Sequence, residues 1–202
     1  MGVVATEQAV LSHKERLLRA GMKLFYENGF NGTSIDAVLA EAGVPKGSFY
    51  HHFGSKEAFG QAVLNCYSEY QGALFDKWHA KKSLSTADQL IGFHKDMAAI
   101  FVKSGFQNSC LLGRFSTEVA ANSDVFRDQL AAQLAWLKRQ LSALLTAGQE
   151  RGDIRTDRPA GELADAVLAL VQGGFVLTLS TRDKQTLATV GDSIRELIEP
   201  RT

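Results

Sequence analysis

With 202 residues, 45% of them hydrophobic and 22% charged, the chain can build one large domain or two small ones and has the composition of a soluble globular protein. Its formal net charge is zero, and residues 1–56 hold six Lys/Arg against five Asp/Glu, so a cationic surface has to be assembled locally by folding. Cys66 and Cys110 exclude a disulfide scaffold, and the most apolar run, 163–179, is shorter than a membrane span of roughly 20 residues, so a cytoplasmic protein with no membrane partner is expected.

Residues 1–11 lack periodicity and read as a loose arm. Ser12 and Glu15 form a capping box for a first helix, which carries Leu17, Leu18, Met22, Leu24 and Phe25 on one side and stops at Asn28-Gly29. Thr33 reads as the N-cap of a second helix, with Asp36 as its partner, Ile35, Val38 and Leu39 as its apolar face and Gly43 as its end. Pro45 suits the first turn of a very short third helix at about 46–52. There Phe49 and Phe53 face inward and leave Lys46, Gly47, Ser48, Tyr50 and His51 facing out. Helix, tight turn and short polar-faced helix form the plan of a helix-turn-helix DNA reader. No acidic residue occurs from Ala42 to Lys56, as a surface lying near phosphates requires.

The stretch Val-Pro-Lys-Gly-Ser-Phe-Tyr-His-His-Phe-Gly-Ser-Lys-Glu-Ala-Phe (44–59) resembles the DNA-binding signature of the TetR family of bacterial repressors. The resemblance is close from about Ser12 to Phe59 and beyond that rests on helix number and length. It implies an all-α fold of about nine helices, with a helix-turn-helix DNA-binding domain at 1–56 and a helical ligand-binding and dimerisation domain at 57–202. In such a reader Lys46 and Ser48 are placed for base edges, Lys46 towards guanine O6 and N7, and Gly47 leaves room for the backbone. Tyr50, His51 and Lys56 are placed to hold phosphates, as is the hydroxyl of Thr33 at a helix N-terminus. One small head buries little surface, so double-stranded operator DNA would be a palindrome read by a homodimer.

Ser55 opens a fourth helix that runs to Trp78 or His79 and is long enough to join a DNA-binding head to a separate body. Further helices are expected at about 86–104, 108–120 and 123–150, from Pro159 to Thr181, and from Asp183 to Ile198. Leu168, Val171, Phe175 and Leu179 form an apolar stripe, and Gly173-Gly174 permits close approach. The last two helices therefore read as a dimer interface, a four-helix bundle across a two-fold axis. Phe93, His94, Met97, Phe101, Cys110, Phe115, Trp136 and Phe175 are candidates to line an apolar ligand cavity. Among them Cys110 stands apart. Capping by Asn108 and Ser109 would place it in the first turn of a helix, with Arg114 one turn on, and both favour a thiolate. The segment is similar to that of the family's electrophile-sensing branch, which includes the N-ethylmaleimide-reductase repressor. That similarity implies modification of Cys110 by quinones, aldehydes or hypochlorous acid. Thr178 stands where that relative has a lysine partner, which speaks against a Cys–Lys linkage and leaves alkylation or sulfenic-acid formation open. The other reading makes Cys110 a small buried apolar residue, as Cys66 on its apolar helix face is expected to be.

An enzyme with Cys110 as nucleophile and His94 as base would lack an orienting third group. His-Glu-x-x-His, Walker and dinucleotide-binding glycine patterns are absent as well, so no catalysis, metal or cofactor is expected. The expected function is a repressor released from its operator by a small-molecule or electrophilic inducer. An activator, and a regulator answering a reversible apolar ligand with Cys110 structural, are alternatives the sequence does not separate.

Overall fold

The computed structural model describes residues 11–200, so all but Leu11 of the expected loose arm lies outside the described residues. Among these residues there are nine helices and no strand: α1 (His13–Asn28), α2 (Ile35–Ala42), α3 (Lys46–Phe53), α4 (Lys56–His79), α5 (Thr86–Lys103), α6 (Leu111–Glu118), α7 (Asp124–Arg151), α8 (Ala160–Thr181) and α9 (Gln185–Ile198). The all-α fold and the helix boundaries follow the sequence reading to within a few residues.

The caps explain where the helices begin and end. Ser12 and Glu15 make the expected capping box on α1. At α2 the cap is Ser34 rather than Thr33, its Oγ accepting from Ala37 N at 3.1 Å. The turn after Gly29 tucks Thr33 under the end of α1. There its one hydroxyl hydrogen is shared between the carbonyls of Leu24 (3.2 Å) and Gly29 (2.7 Å). Gly43, at φ 60°, closes α2 in the left-handed conformation. Pro45 and Pro159 sit at the N-cap, one residue earlier than expected. Asp183 does the capping of α9, accepting from Gln185 N at 2.9 Å.

A run of aromatic rings ties the first three helices to the rest. Phe49 and Phe53 of α3 meet Phe59 of α4 at 5.1 and 4.9 Å between ring centroids, and Phe59 meets Phe25 of α1 at 5.8 Å. Phe25 then packs edge-on to Phe115 of α6 at 5.4 Å, and Phe115 packs on Phe126 of α7 at 5.6 Å. Such pairs stabilise beyond their buried area by about 0.5–1.5 kcal/mol each. Gly21 makes the crossing of α1 and α4 possible, because a Cβ there would lie 2.3 Å from Phe59 Cζ. A second buried cluster, including Phe75, Leu90, Leu137, Leu145, Leu163 and Ile194, fills the space among α4, α5, α7, α8 and α9.

One helix corrects the sequence reading. α8 has 22 residues and a hydropathy of 1.7, so by length and composition it could cross a membrane, whereas the run expected there was too short. In this fold it packs against α7 and α9, with Leu163, Ala164, Val167, Phe175 and Thr178 buried. Only 39% of its most apolar stretch is buried, so an apolar face remains outside.

Candidate nucleic-acid interface and ligand cavity

Phe49, with no exposed surface, fastens α3 to the core and so fixes which of its side chains meet solvent. Lys46, Gly47, Tyr50, His51 and His52 are exposed, and Ser48 is half-buried. Lys46 Nζ rests 3.7 Å from Asp36 of α2, with both groups well solvated, a contact of little worth in water that a phosphate or base edge can replace. Gly47 would seat a Cβ with nothing within 4 Å among the described residues, so they leave this backbone open to an approaching surface. Ser48 Oγ lies 3.2 Å from Nδ1 of His13, which holds it to α1. Two members of the expected DNA set stand elsewhere. Thr33 is 2% exposed with its hydroxyl already committed, and Lys56 turns onto the α1–α2 turn, its Nζ 4.6 Å above the Phe30 ring. Burial there holds the Lys56 amine below its ordinary pKa, with Glu118 opposing.

That turn is also gripped from the body. Glu118, at the end of α6, accepts from the backbone N–H groups of Phe30 (3.0 Å) and Asn31 (2.6 Å). Arg114, one turn earlier, donates to the Tyr26 carbonyl at 2.7 Å. The guanidinium expected to act on Cys110 is thus spent on the end of α1. α6 is a short strut, attached to α1 and the α1–α2 turn at one end and carrying Cys110 as its N-cap residue at the other.

Cys110 is 6% exposed and lies in the wall of two small cavities, each of about 30 Å³. The inner one is lined mainly by Leu90, Phe93, Leu137, Leu141, Val167, Leu168, Val171, Phe175 and Ile194, with Gln71, His94, Cys110 and Gln172 as its polar members. The outer one shares Gln71, Met97, Cys110 and Phe175 with it and reaches Tyr70 and Ile100, which are 49% and 36% exposed. The two cavities thus share a wall at Cys110, the outer one lying nearer the surface. Gln172 Nε2 donates to Cys110 Sγ at 3.1 Å, and Gln71 Nε2 donates to Tyr67 Oη at 2.5 Å. Burial pushes the Tyr26 and Tyr67 phenols up, so both remain protonated donors. Cys66 is half-buried on α4, and burial raises its thiol pKa as well.

Residues 17–63 match the model for bacterial regulatory proteins of the tetR family, and residues 86–194 match that of the tetracyclin repressor-like C-terminal domain. The chain belongs to the TetR family. It is 34% identical to the transcriptional regulator AcuR of Cereibacter sphaeroides over 158 residues, which is 78% of this chain and 72% of that one. With the repressor DhaR of a Mycobacterium species it shares 31% identity over 190 residues, 94% of this chain and 93% of the other. The crystal structure of reduced E. coli NemR superposes with a TM-score of 0.83 at 28% identity, covering 92% of this chain and 96% of NemR. This TetR-family member is therefore a transcriptional regulator of the repressor kind with a helix-turn-helix DNA-binding unit.

Of the residues expected to line the cavity, Phe93, His94, Met97, Cys110 and Phe175 do so, and three do not. Phe101 stands behind Phe175, ring to ring at 5.3 Å, and Phe115 belongs to the aromatic run between α1 and α7. Trp136 lines a separate outer groove between α4 and α7, of about 720 Å³, under Gly72. The residues of the expected dimer stripe lie on different sides of α8. Leu168, Val171 and Phe175 line the cavity, Leu168 also lining an outer groove beside Ala169 and Lys138, and Leu179 packs partly buried on the core. Gly174 is buried against α9, where a Cβ would come 2.8 Å from Val190 Cγ2. Gly173 lies on the outward face, with exposed Ala169, Val176 and Leu177. Gln71 and Gln172 were missed, since a lone glutamine in an apolar helix gives no periodic signal.

Proposed function

We propose that this TetR-family protein is a repressor that binds a palindromic operator as a homodimer and is released when an inducer occupies the cavity beside Cys110. The observation that carries the reading is the solvent face of α3. Lys46, Gly47, Ser48, Tyr50 and His51 are presented on a helix whose other side is locked by Phe49, and no acid interrupts the segment. Two copies pair through the outward face of α8, where Val176 and Leu177 stand 56% and 59% exposed on an apolar helix, with Ala169 and Gly173 allowing close approach.

Release follows from size. A cavity of about 30 Å³ holds a water or two, so any organic inducer has to spread α5, α6, α7 and α8 to enter. It then favours the spread state, which is the unequal affinity that a ligand-driven shift requires. Movement of the Cys110 end of α6 is carried by Arg114 and Glu118 to α1 and the α1–α2 turn, and so to the seat of α3. The second reading of the same site has Cys110 as wall rather than target, favoured by its 6% exposure, with the inducer bound reversibly. DNase I footprinting on DNA upstream of the protein's own gene tests the main reading. It should show a two-fold symmetric protected site with half-sites one helical turn or a multiple apart, roughly 34–36 Å per turn. Protection of a lone half-site, or none, would contradict it.

A further inference from the structure

The inner cavity contains one polar atom whose needs the fold leaves unmet. His94 is 2% exposed, and its Nε2 lies 2.8 Å from the Leu187 carbonyl of α9. A carbonyl oxygen can only accept, so Nε2 carries the hydrogen. Burial holds the ring below its ordinary pKa, which leaves it neutral near pH 7. In a neutral ring protonated at Nε2, Nδ1 is a bare acceptor, and here it is buried without a hydrogen-bond partner among the described residues. The Cδ2 edge faces Gly191 on α9, with 3.6 Å between it and a Cβ at that glycine, so Nδ1 is on the edge turned from α9. Neither glutamine of the cavity reaches it: the Gln172 amide nitrogen donates to Cys110 and that of Gln71 to Tyr67. An unpaired buried acceptor is costly, and a ligand supplying one donor relieves that cost while the apolar wall takes the rest of it.

From this we infer that the inner cavity selects uncharged, mainly apolar ligands carrying one hydroxyl or N–H, which donates to Nδ1 of His94. The inference rests on the reading that the cavity admits an inducer, and it names that inducer's chemical class. Among the described residues no cationic or anionic side chain lines the cavity, so an ion would enter unpaired.

Phenol, anisole and toluene are the probes, similar in size and differing in whether they can donate. Binding to the full chain is measured by titration calorimetry, and the Nδ1 resonance of His94 is followed in ¹⁵N-histidine-labelled protein. Phenol should bind about tenfold or more tighter than anisole, a ratio that corresponds to about 1.4 kcal/mol. Nδ1 should move with phenol and stay with anisole and toluene. In the His94→Phe variant the preference should fall to about one. Equal binding of phenol and anisole, or a phenol preference that survives His94→Phe, would overturn the assignment to His94 while leaving the ligand cavity in place. If no probe binds at all, the ligand-cavity reading itself fails along with it. Should His94→Phe not fold, the ¹⁵N shift of the unaltered protein decides alone: an Nδ1 resonance unmoved by bound phenol overturns the inference.

Discussion

Replacing Glu118 by alanine tests how the body holds the DNA-binding unit. The carboxylate accepts two backbone N–H groups, Phe30 at 3.0 Å and Asn31 at 2.6 Å, across 88 and 87 residues of chain. Hydrogen bonds to a charged group contribute about 1.5–3 kcal/mol each when shielded from water. Asn31 is exposed and Phe30 only half-buried, so water replaces part of what is lost and the sum falls to about 2–3 kcal/mol. For a chain of this size each kcal/mol moves Tm by about 2–4 °C, so Glu118→Ala should melt about 4–12 °C lower. The strut would then keep the Arg114 hydrogen bond and the packing of Phe115 on Phe25 but lose its grip on the α1–α2 turn backbone, and an inducer that still occupies the cavity should release operator DNA less completely. Thermal melts monitored by circular dichroism give the first number and fluorescence anisotropy with operator DNA the second. A Tm within about 1 °C of the parent together with unchanged release would refute the view of α6 as the connecting strut.

Three further perturbations follow from the same geometry. Lys46→Ala should cost about 1–3 kcal/mol of discrimination between operator and scrambled DNA, measured by competition binding; unchanged discrimination would remove Lys46 from the base contacts. Leu177→Glu places a charge on the exposed face of α8, so the chain should sediment as a folded monomer with operator affinity lowered on the order of 10²-fold; a persistent dimer would move the interface elsewhere. His94 protonates at 6.5 in an ordinary setting and lower in the fold, because burial penalises the charged ring. The unfolded chain then binds more protons in mild acid. The contribution of His94 is full above about pH 6.5 and lost as pH falls through its lowered value, so the stability difference between the parent and His94→Gln should change over that window in urea titrations. A pH-independent difference would show that the ring is not desolvated.

The sequence made α3 legible because several local signals agreed there: Gly43 to stop one helix, Pro45 to open the next, and Phe49 and Phe53 four apart. Where two neighbours offer the same chemistry, sequence cannot choose. Thr33 and Ser34 both suit an N-cap, and the choice is made by the carbonyls of Leu24 and Gly29, which only the folded turn brings to the Thr33 hydroxyl. α8 fails differently. Apolar nearly all round, it supplies a stripe in several registers, so Leu168, Val171 and Phe175 looked as suited to a dimer face as Ala169, Gly173 and Leu177 until packing turned the first set inward. Phe115 and Trp136 are aromatic residues whose destination depends on which helix crosses them. The polar contacts to Cys110 and Tyr67 arise from Gln172 and Gln71, single glutamines that mean nothing until the helices meet.

The proposed function requires that α3 reads operator DNA and that filling the cavity beside Cys110, by an inducer or by alkylation of the thiol, ends the reading. Fluorescence anisotropy with DNA from upstream of the gene, with and without a mild thiol alkylator, tests it on the parent and on Cys110→Ser. Tight, salt-sensitive binding by both proteins, abolished by about one equivalent of alkylator in the parent alone, is the result predicted. Release of Cys110→Ser by the same alkylator would place the reactive group elsewhere, and the absence of specific binding by the parent would contradict the account at its root.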